Sequence, residues 1–534
     1  MTRNVIQFSL LLGLSFLTFT TVNAETNTKE LRKQAEKAMR NGDFASAEKL
    51  WQQVLETNPN NIQNRLALSH VYLKQRKLLN CYEEAEKALK IEPDNARGQA
   101  LVGATFLAAG NFTSARAFLT SSMVLNPDDS LALGNLALLD FYENRTQDCL
   151  IKLRRAQFLS PNEPDYVYAF AQASTRAENY RDAADAYDKF LRIAPATDTD
   201  RRDRIKGLID FLRYLGTQKT LYEISGDVQT TVRGEIISGR PIIKVRVNDN
   251  EEPLKFVLDT GSGMTIISDE TAKRLNIKPV AEGGMARAVG GGGKFPIVYG
   301  FLSSFQIGDA RISKVPVFIR KFYSGGEKYD GYIGLSVISK FLTTFDYGNG
   351  DFTLIRRGKV EKDRKKAIKS KLAKTEFDNL PRVPLRTTAS GFLSGEVKIE
   401  DVNVPLNFII DTGASISVVS SEMFRQTELQ KYEKNNTMRV FGAAGVADNV
   451  KLLVLPKLAL GESSQDKIEA VVLNLDSINE TVGFAQAGIL GGNFLQKYRV
   501  TFDFLNETIV FELTKTRQVL DGKDVILGEV APKR

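Results

Sequence analysis

The chain has 534 residues, of which 43% are hydrophobic and 25% are charged, and its formal net charge at pH 7 is +8. This length exceeds what one hydrophobic core can fill, so several folded domains are expected. It contains one histidine and two cysteines, which argues against a Cys- or His-rich zinc site and against Ser-His or Cys-His nucleophilic catalysis. Any hydrolytic chemistry would have to rely on carboxylates, and neither a metal nor a cofactor is expected.

Residues 1–24 have the pattern of a bacterial-type secretory signal peptide. Arg3 gives a positively charged start, residues 5–21 are largely apolar, and residues 22–24 resemble a cleavage site before Glu25. The segment therefore predicts export, to a periplasm or outside the cell. An uncleaved membrane anchor is the alternative. No later segment is apolar enough to span a bilayer, so no membrane span is expected after signal cleavage.

Residues 28–216 repeat with a period of 34 residues. Prolines recur at this spacing: Pro59, Pro93, Pro127, Pro161 and Pro195. Small residues occupy two further positions in each repeat: Ala47, Cys81, Ala115, Cys149 and Ala183, then Ala35, Ser69, Gly103, Ala137 and Ala171. This pattern resembles tetratricopeptide (TPR) repeats, because two closely packed helices per repeat need small residues at their contact.

The TPR resemblance implies an all-α solenoid of about five repeats, with a capping helix from Asp200 to Leu215. A stacked array of this kind offers a concave surface to a peptide or a protein partner. A rigid spacer without a specific ligand is the alternative. Cys81 and Cys149 lie in repeats two and four, separated by several helix layers of about 8–10 Å each. They are therefore predicted to be buried thiols rather than a disulfide, which needs Cα atoms within about 7 Å.

One unit occurs twice in residues 229–515. The segment FVLDTGS begins at Phe256 and the segment FIIDTGA begins at Phe408, so the two copies are offset by 152 residues. Further on, the tripeptides ending at Gly334 and Gly491 match at an offset of 157, so the second copy is about five residues longer. We predict two all-β lobes, 229–357 and 376–515, with a linker at 358–375 and a tail at 516–534.

The linker carries most of the charge excess. Between Arg356 and Lys374 there are ten basic and two acidic residues. Because no aromatic residues are interleaved with them, this run is interpreted as a solvated linker or helix rather than a nucleic-acid or membrane-surface patch. No nucleic-acid partner is expected.

Both copies contain the same series of local features. An apolar strand ends at Asp-Thr-Gly, a hairpin with glycines at its tip follows, and an apolar-apolar-Gly tripeptide comes next. The hairpin glycines are candidate flap residues: Gly290, Gly291, Gly292 and Gly293 in the first copy, Gly442 and Gly445 in the second. This order resembles the retropepsin-like aspartic proteases, and two copies in one chain resemble a fused pseudo-dimer.

The resemblance implies that Asp259 and Asp411 form a catalytic dyad that shares one proton. One carboxylate would activate a water molecule while the other, protonated, hydrogen-bonds to the peptide carbonyl. The residues implied to support the dyad are Thr260, Gly261, Ser262, Thr412, Gly413 and Ala414. Ser262 can donate a hydrogen bond to Asp259 where Ala414 cannot do so for Asp411, which predicts Asp259 as the ionised member.

The sequence thus predicts an exported aspartic endopeptidase that acts on proteins or peptides, with a TPR arm that binds the substrate or a partner protein. Two alternatives remain. The chain could be a catalytically inactive, secreted peptide-binding scaffold, although both Asp-Thr-Gly triplets are intact. The dyad could also form between two chains rather than within one, because the linker is long enough for either arrangement.

Overall fold

The computed structural model describes residues 27–288, 294–322, 328–362, 380–404, 406–514, 517–520 and 523–526. The chain divides into two compact units. The first comprises the chain up to Asp140 with Gln147–Phe170 and Ala186–Arg202, and the second comprises Phe141–Thr146, Ala171–Asp185 and the chain from Asp203 onward. The predicted signal segment and most of the predicted linker and tail lie outside the described residues.

Eleven consecutive helices form the N-terminal part of the described chain. They are α1 (27–40), α2 (Phe44–Thr57), α3 (Ile62–Lys74), α4 (Leu78–Ile91), α5 (Ala96–Ala109), α6 (Phe112–Leu125), α7 (Ser130–Tyr142), α8 (Thr146–Leu159), α9 (Pro164–Arg176), α10 (Tyr180–Ile193) and α11 (Thr199–Leu215). The even-numbered helices α2 to α10 each end two residues before one of the periodic prolines, because the residue before a proline disfavours helical backbone. The predicted helical repeat is confirmed.

The small residues of the repeat are buried where helices touch. Ser69 Oγ of α3 donates a 2.7 Å hydrogen bond to the carbonyl of Cys81 in α4. At Gly103, an added Cβ would lie 2.7 Å from Leu119 Cγ of the next helix. Cys81 and Cys149 are buried thiols, as predicted, and burial raises the pKa of Cys81.

Ion pairs join distant repeats of the first unit. Lys74, at the end of α3, contacts Glu163 at 2.8 Å and Asp165 at 2.5 Å, and Arg201 contacts Asp165 at 2.7 Å. Burial alone would raise the pKa of Asp165, but Lys74 and Arg201 together hold it well below its usual range. The repeats therefore curve enough to bring the second repeat against the start of the fifth.

The β-rich part of the second unit contains two lobes. The strands of the first lobe are β1 (Glu223–Gly226), β2 (Gln229–Arg233), β3 (Glu235–Ile237), β4 (Arg240–Val247), β5 (Leu254–Leu258), β6 (Ile266–Ser268), β7 (Ala281–Arg287), β8 (Lys294–Ile307), β9 (Ala310–Arg320), β10 (Gly331–Ile333), β11 (Phe341–Asp346) and β12 (Asp351–Arg356). Most of them form one sheet in the order β1–β9–β6–β10–β5–β4–β8–β7, with β3 beside β4.

The second lobe repeats this arrangement. Its strands are β13 (Arg382–Pro384), β14 (Arg386–Thr387), β15 (Leu393–Ile399), β16 (Leu406–Ile410), β17 (Ser417–Ser420), β18 (Glu433–Gly442), β19 (Gly445–Leu460), β20 (Ser463–Leu473), β21 (Gly488–Leu490), β22 (Tyr498–Asp503) and β23 (Thr508–Leu513). Its sheet has the order β14–β15–β16–β21–β17–β20–β19–β18. The predicted pair of all-β lobes after a helical solenoid is confirmed.

A six-stranded sheet contains strands from both lobes, in the order β13–β23–β22–β11–β12–β2. At its centre β11 pairs antiparallel with β22, and Thr344 faces Thr501. Their hydroxyl oxygens are 2.9 Å apart. Because these threonines occupy equivalent positions in the two copies, a pseudo-two-fold axis passes between them. The two lobes of this chain therefore pair with each other.

Short helices connect the strands. They are α12 (Asp269–Arg274), α13 (Leu335–Ile338), α14 (357–362), α15 (Ser421–Gln426), α16 (Asp476–Val482) and α17 (Gly492–Leu495), with a 3₁₀ turn at Glu428–Tyr432. A last hairpin consists of β24 (Arg517–Leu520) and β25 (Lys523–Ile526). Within the part of the chain that the structure describes, no helix is long and apolar enough to cross a membrane.

Candidate active site

Each Asp-Thr-Gly triplet directly follows a buried strand. Asp259 comes after β5 and Asp411 comes after β16, and both strands have side chains that are almost fully buried at their C-terminal ends. The amide of Asp259 donates to the carbonyl of Ile333 at 3.0 Å, and the amide of Asp411 donates to Leu490 at 3.0 Å. These bonds to the apolar-apolar-Gly segments fix where each strand ends and each loop begins.

Two buried threonines join the loops of the two lobes. Thr260 Oγ1 donates to the carbonyl of Ile410 at 2.7 Å, and Thr412 Oγ1 donates to the carbonyl of Leu258 at 2.6 Å. Each hydroxyl also accepts from the amide of the other threonine, at 3.1 and 3.0 Å. Four reciprocal hydrogen bonds in a water-excluded position hold the aspartates of the two lobes in one place.

Glycine is required next to each threonine because the opposite carboxyl group lies against it. A Cβ at Gly261 would be 2.4 Å from Cγ of Asp411, and a Cβ at Gly413 would be 2.7 Å from Oδ1 of Asp259. The amide of Gly261 donates to Asp259 at 3.0 Å, and that of Gly413 donates to Asp411 at 2.8 Å. The predicted dyad residues are therefore assembled within one chain.

Burial raises the pKa of both dyad carboxyl groups. Burial, the charge of Asp411 and a hydrogen bond to it raise the pKa of Asp259 well above its usual range. Burial also raises the pKa of Asp411, but the hydrogen bond from Asp259 and backbone amides, including those of Gly413 and Ala414, oppose that rise. Both directions favour a dyad that retains one proton, which belongs to the pair of carboxyl groups.

The hydrogen bond expected from the Ser262 hydroxyl to Asp259 is replaced by another. The Ser262 hydroxyl donates its proton to the carbonyl of Met264 at 2.7 Å, within its own loop, so that proton does not stabilise the Asp259 carboxylate. In the other lobe, the backbone amide of Ala414 donates to Asp411 at 3.2 Å. The backbone amides, and not the side chains at these two positions, therefore provide the hydrogen bonds to the carboxyl groups.

The two predicted flaps are hairpins, β7–β8 in the first lobe and β18–β19 in the second. At the second tip, Gly442 pairs with Gly445 across a turn at Ala443 and Ala444. The predicted flap residues Gly290, Gly291, Gly292 and Gly293 lie outside the described residues.

The first flap packs against helix α11. The rings of Phe211 and Tyr299 are stacked, with centroids 4.5 Å apart. A Cβ at Gly207 would lie 2.4 Å from the carbonyl oxygen of Gly283. This contact was not predicted from the sequence, in which α11 is expected only as a cap on the repeats.

Arg320, at the end of β9, was also missed. Its Nη1 donates to the carbonyl of Ala443, at the tip of the second flap, at 2.8 Å, and its charge lowers the pKa of Asp259. The strand registers place an apolar residue, Leu473, at the same position in the second copy.

Three family models match this chain. Residues 243–337 match a model described as "Aspartyl protease", and residues 396–497 match one described as "gag-polyprotein putative aspartyl protease". Residues 38–105 match a tetratricopeptide repeat model. The chain therefore contains aspartyl protease domains in both lobes, preceded by tetratricopeptide repeats, and both resemblances noted in the sequence are confirmed.

Several solved structures are similar to about a third of this chain. A thermophilic TPR protein of Thermus thermophilus is 18% identical, with 33% of this chain and 95% of that chain covered and a TM-score of 0.29. MamA of Desulfovibrio magneticus RS-1 is 18% identical, with coverage of 32% and 97% and a TM-score of 0.23. PilF of Pseudomonas aeruginosa is 20% identical, with coverage of 32% and 77% and a TM-score of 0.25. A comparison with curated proteins gave no match.

Proposed function

We propose that this chain is an aspartic endopeptidase that hydrolyses peptide bonds with a water molecule activated by Asp259 and Asp411. The observation that carries the proposal is the reciprocal cross-link of Thr260 and Thr412, which brings the two carboxyl groups into hydrogen-bonding contact. Two carboxyl groups this close share one proton, so an acid and a base face the same substrate bond.

The proposed reaction starts with Asp411 ionised and Asp259 protonated. Asp411 takes a proton from a bound water molecule, whose oxygen attacks the peptide carbonyl carbon. Asp259 gives its proton to the carbonyl oxygen, which yields a neutral tetrahedral diol. When the C–N bond breaks, Asp411 transfers its proton to the leaving nitrogen and one diol hydroxyl returns a proton to Asp259. The dyad thereby returns to its starting state.

We also propose that the enzyme is exported and that its TPR arm binds the substrate or a partner protein. The secretory pattern of residues 1–24 supports export to a periplasm or to the outside of the cell. The curved repeat array supports a role in protein binding. Lys74, Glu163 and Asp165 already bridge distant repeats, so a bound segment would have to lie beside this ion-pair cluster or open it.

The test compares proteome-derived peptide cleavage by the wild-type chain with cleavage by Asp259→Asn, Asp411→Asn and the double variant. Each single variant should lose activity by on the order of 10³-fold or more, because residues that act as a unit fail together. Asp466→Asn is the matched control, since this residue is exposed on β20, and its activity should equal that of the wild type. Full activity in either single variant, with folding verified by circular dichroism, would exclude the shared dyad.

A further inference from the structure

A cationic and aromatic cluster beside Asp259 forms one wall of the space between the dyad and the second flap tip, which we call the cleft. The guanidinium of Arg320 lies 5.3 Å from the ring centroid of Phe322, 5.3 Å from that of Phe295 and 5.8 Å from that of Tyr332. Aromatic faces stabilise a cation at these distances and restrict where the long side chain can go. The charge of Arg320 is thus held in a fixed place by three rings.

This wall faces the reacting groups. Tyr332 pairs with Val257, two residues before Asp259, in the parallel contact between β10 and β5. Arg320 contacts the carbonyl of Ala443 at the second flap tip, so it lies between the dyad and the flap. A peptide that is held over the dyad and under this flap therefore passes next to the guanidinium.

The strand registers identify the equivalent positions in the second lobe. In the first lobe Ser268 pairs with Arg320. In the second lobe Ser420, the counterpart of Ser268 at the 152-residue offset, pairs with Leu473. Arg320 and Leu473 therefore occupy the same place on opposite sides of one cleft.

The neighbouring strand position also differs between the lobes, with an aromatic residue in the first and an aliphatic residue in the second. Ile266 pairs with Tyr332 in the first lobe, whereas Val418 pairs with Ile489 in the second. Leu473 and Ile489 are 7% and 5% exposed and belong to one apolar cluster. One wall of the cleft is cationic and aromatic, and the other is aliphatic.

We propose that Arg320 is a specificity-determining residue that binds a carboxylate side chain of the substrate, so that the enzyme prefers Asp or Glu on the Asp259 side of the scissile bond and an aliphatic residue on the Asp411 side. This inference rests on the proposed function. A planar guanidinium pairs with a carboxylate through two parallel hydrogen bonds, and a partly buried site strengthens them. Binding of the carboxylate beside the Ala443 contact would hold substrate and flap together.

The cleavage test uses peptides that the wild type cuts, made in matched forms with Glu, Gln or Lys at each position flanking the scissile bond. When the varied residue lies on one of the two sides of the scissile bond, the wild-type kcat/KM should be about 10-fold or more higher for the Glu peptide than for the Gln peptide. This ratio is what one charged hydrogen-bonded pair is expected to contribute. Arg320→Gln should bring this ratio to about 1, and Arg320→Glu should favour the Lys peptide. Arg320→Lys should keep part of the preference, because it keeps the charge without the planar fork.

Two further variants serve as controls. Lys398→Gln removes the same charge from an exposed position on β15 and should leave the ratio unchanged. Leu473→Arg places a cation on the opposite wall and should create a preference for Glu on the other side of the scissile bond. An unchanged ratio in Arg320→Gln, with all peptides slowed equally, would mean that Arg320 only latches the flap and would overturn the inference.

A binding measurement separates this inference from the proposed function. In the Asp259→Asn/Asp411→Asn double variant, fluorescence anisotropy should show the labelled Glu peptide binding about 10-fold more tightly than the Gln peptide, and Arg320→Gln should abolish the difference. Wild-type cleavage without a Glu preference would refute the inference and leave the proposed function standing. Binding with this preference but no dyad-dependent cleavage would refute the proposed function alone. Equal or absent binding of the two peptides would refute the inference.

Discussion

The two lobes have the same strand order around the dyad but differ in the surfaces that surround it. Around the axis they match closely, with the same threonine cross-link and the same glycine contacts on both sides. Away from the axis they differ, because the first flap packs on α11 while the second flap strand, β18, is exposed along most of its length. The geometry of the dyad requires the two lobes to be symmetric around the axis. A bound peptide has two different ends, so the surfaces that contact it need not be symmetric.

The largest expected effect concerns the helix behind the first flap. Phe211 is fully buried against Tyr299, so Phe211→Ala should lower the free energy of unfolding by about 3–5 kcal/mol. Urea denaturation would measure this loss. Hydrogen exchange of the β7–β8 hairpin should also rise towards that of β18–β19, because the hairpin loses its support.

Phe441→Ala is the control for this comparison. Phe441 lies in the second flap and is 44% exposed, so its removal should change the free energy of unfolding by less than about 0.5 kcal/mol. If the exchange of the first flap stays unchanged in Phe211→Ala, then α11 does not restrain that flap.

The threonine cross-link predicts that the same substitution costs the same unfolding free energy in either lobe. Thr260→Val and Thr412→Val keep the side-chain shape but remove the hydroxyl, which leaves a buried carbonyl and a buried amide without their partners. Each variant should lose at least about 2 kcal/mol of unfolding free energy, because each of the two buried groups that lose their partner costs at least about 1 kcal/mol.

Serine at the same positions keeps the hydroxyl and should restore most of that stability. The costs of the two valine variants should agree within about 0.5 kcal/mol, the margin within which separate mutational effects usually add, because the two hydroxyls make matching hydrogen bonds. A clear inequality, measured by chemical denaturation, would mean that the cross-link is not symmetric.

The dyad also predicts how stability depends on pH. At a pH below the ordinary aspartate pKa, Asp259 is protonated in both the folded and the unfolded chain. Above it, the unfolded chain releases this proton while the folded chain keeps it, because burial raises the folded pKa. The free energy of unfolding therefore falls with rising pH, by on the order of 1 kcal/mol for each unit of raised pKa, until the raised pKa is passed.

Asp259→Asn removes this titration, so the variant should be more stable than the wild type at neutral pH and equally stable near pH 3. Thermal melting at both pH values would measure the difference. Asp466→Asn, at an exposed position, should show no such gain. A wild type that is as stable as Asp259→Asn at neutral pH would contradict the raised pKa.

The sequence predicts the parts of this fold that depend on local pattern and on repetition. The 34-residue period predicts the solenoid, and the repeated Asp-Thr-Gly triplets predict two β lobes. Contacts between segments that are far apart in the sequence leave no such pattern in it. The bulge at Gly283 and Gly284, with φ values of +118° and +92°, fits against α11 only once both elements are folded. Arg320 was missed because the offset between the copies changes from 152 to 157 residues across this segment, and only strand register aligns it with Leu473.

The smallest expected effect concerns the Ser262 hydroxyl, which the sequence predicts as a donor to Asp259. Because its hydroxyl donates to Met264 and not to Asp259, Ser262→Ala should move neither limb of the pH–activity profile by more than about 0.3 unit. Arg320→Gln, by contrast, removes a positive charge that lowers the pKa of Asp259, so the basic limb, which the protonated Asp259 of the proposed reaction sets, should shift to higher pH. A shift in Ser262→Ala as large as that in Arg320→Gln would mean that the serine hydroxyl turns to Asp259 when the enzyme works, and that side chains rather than backbone amides distinguish the two aspartates.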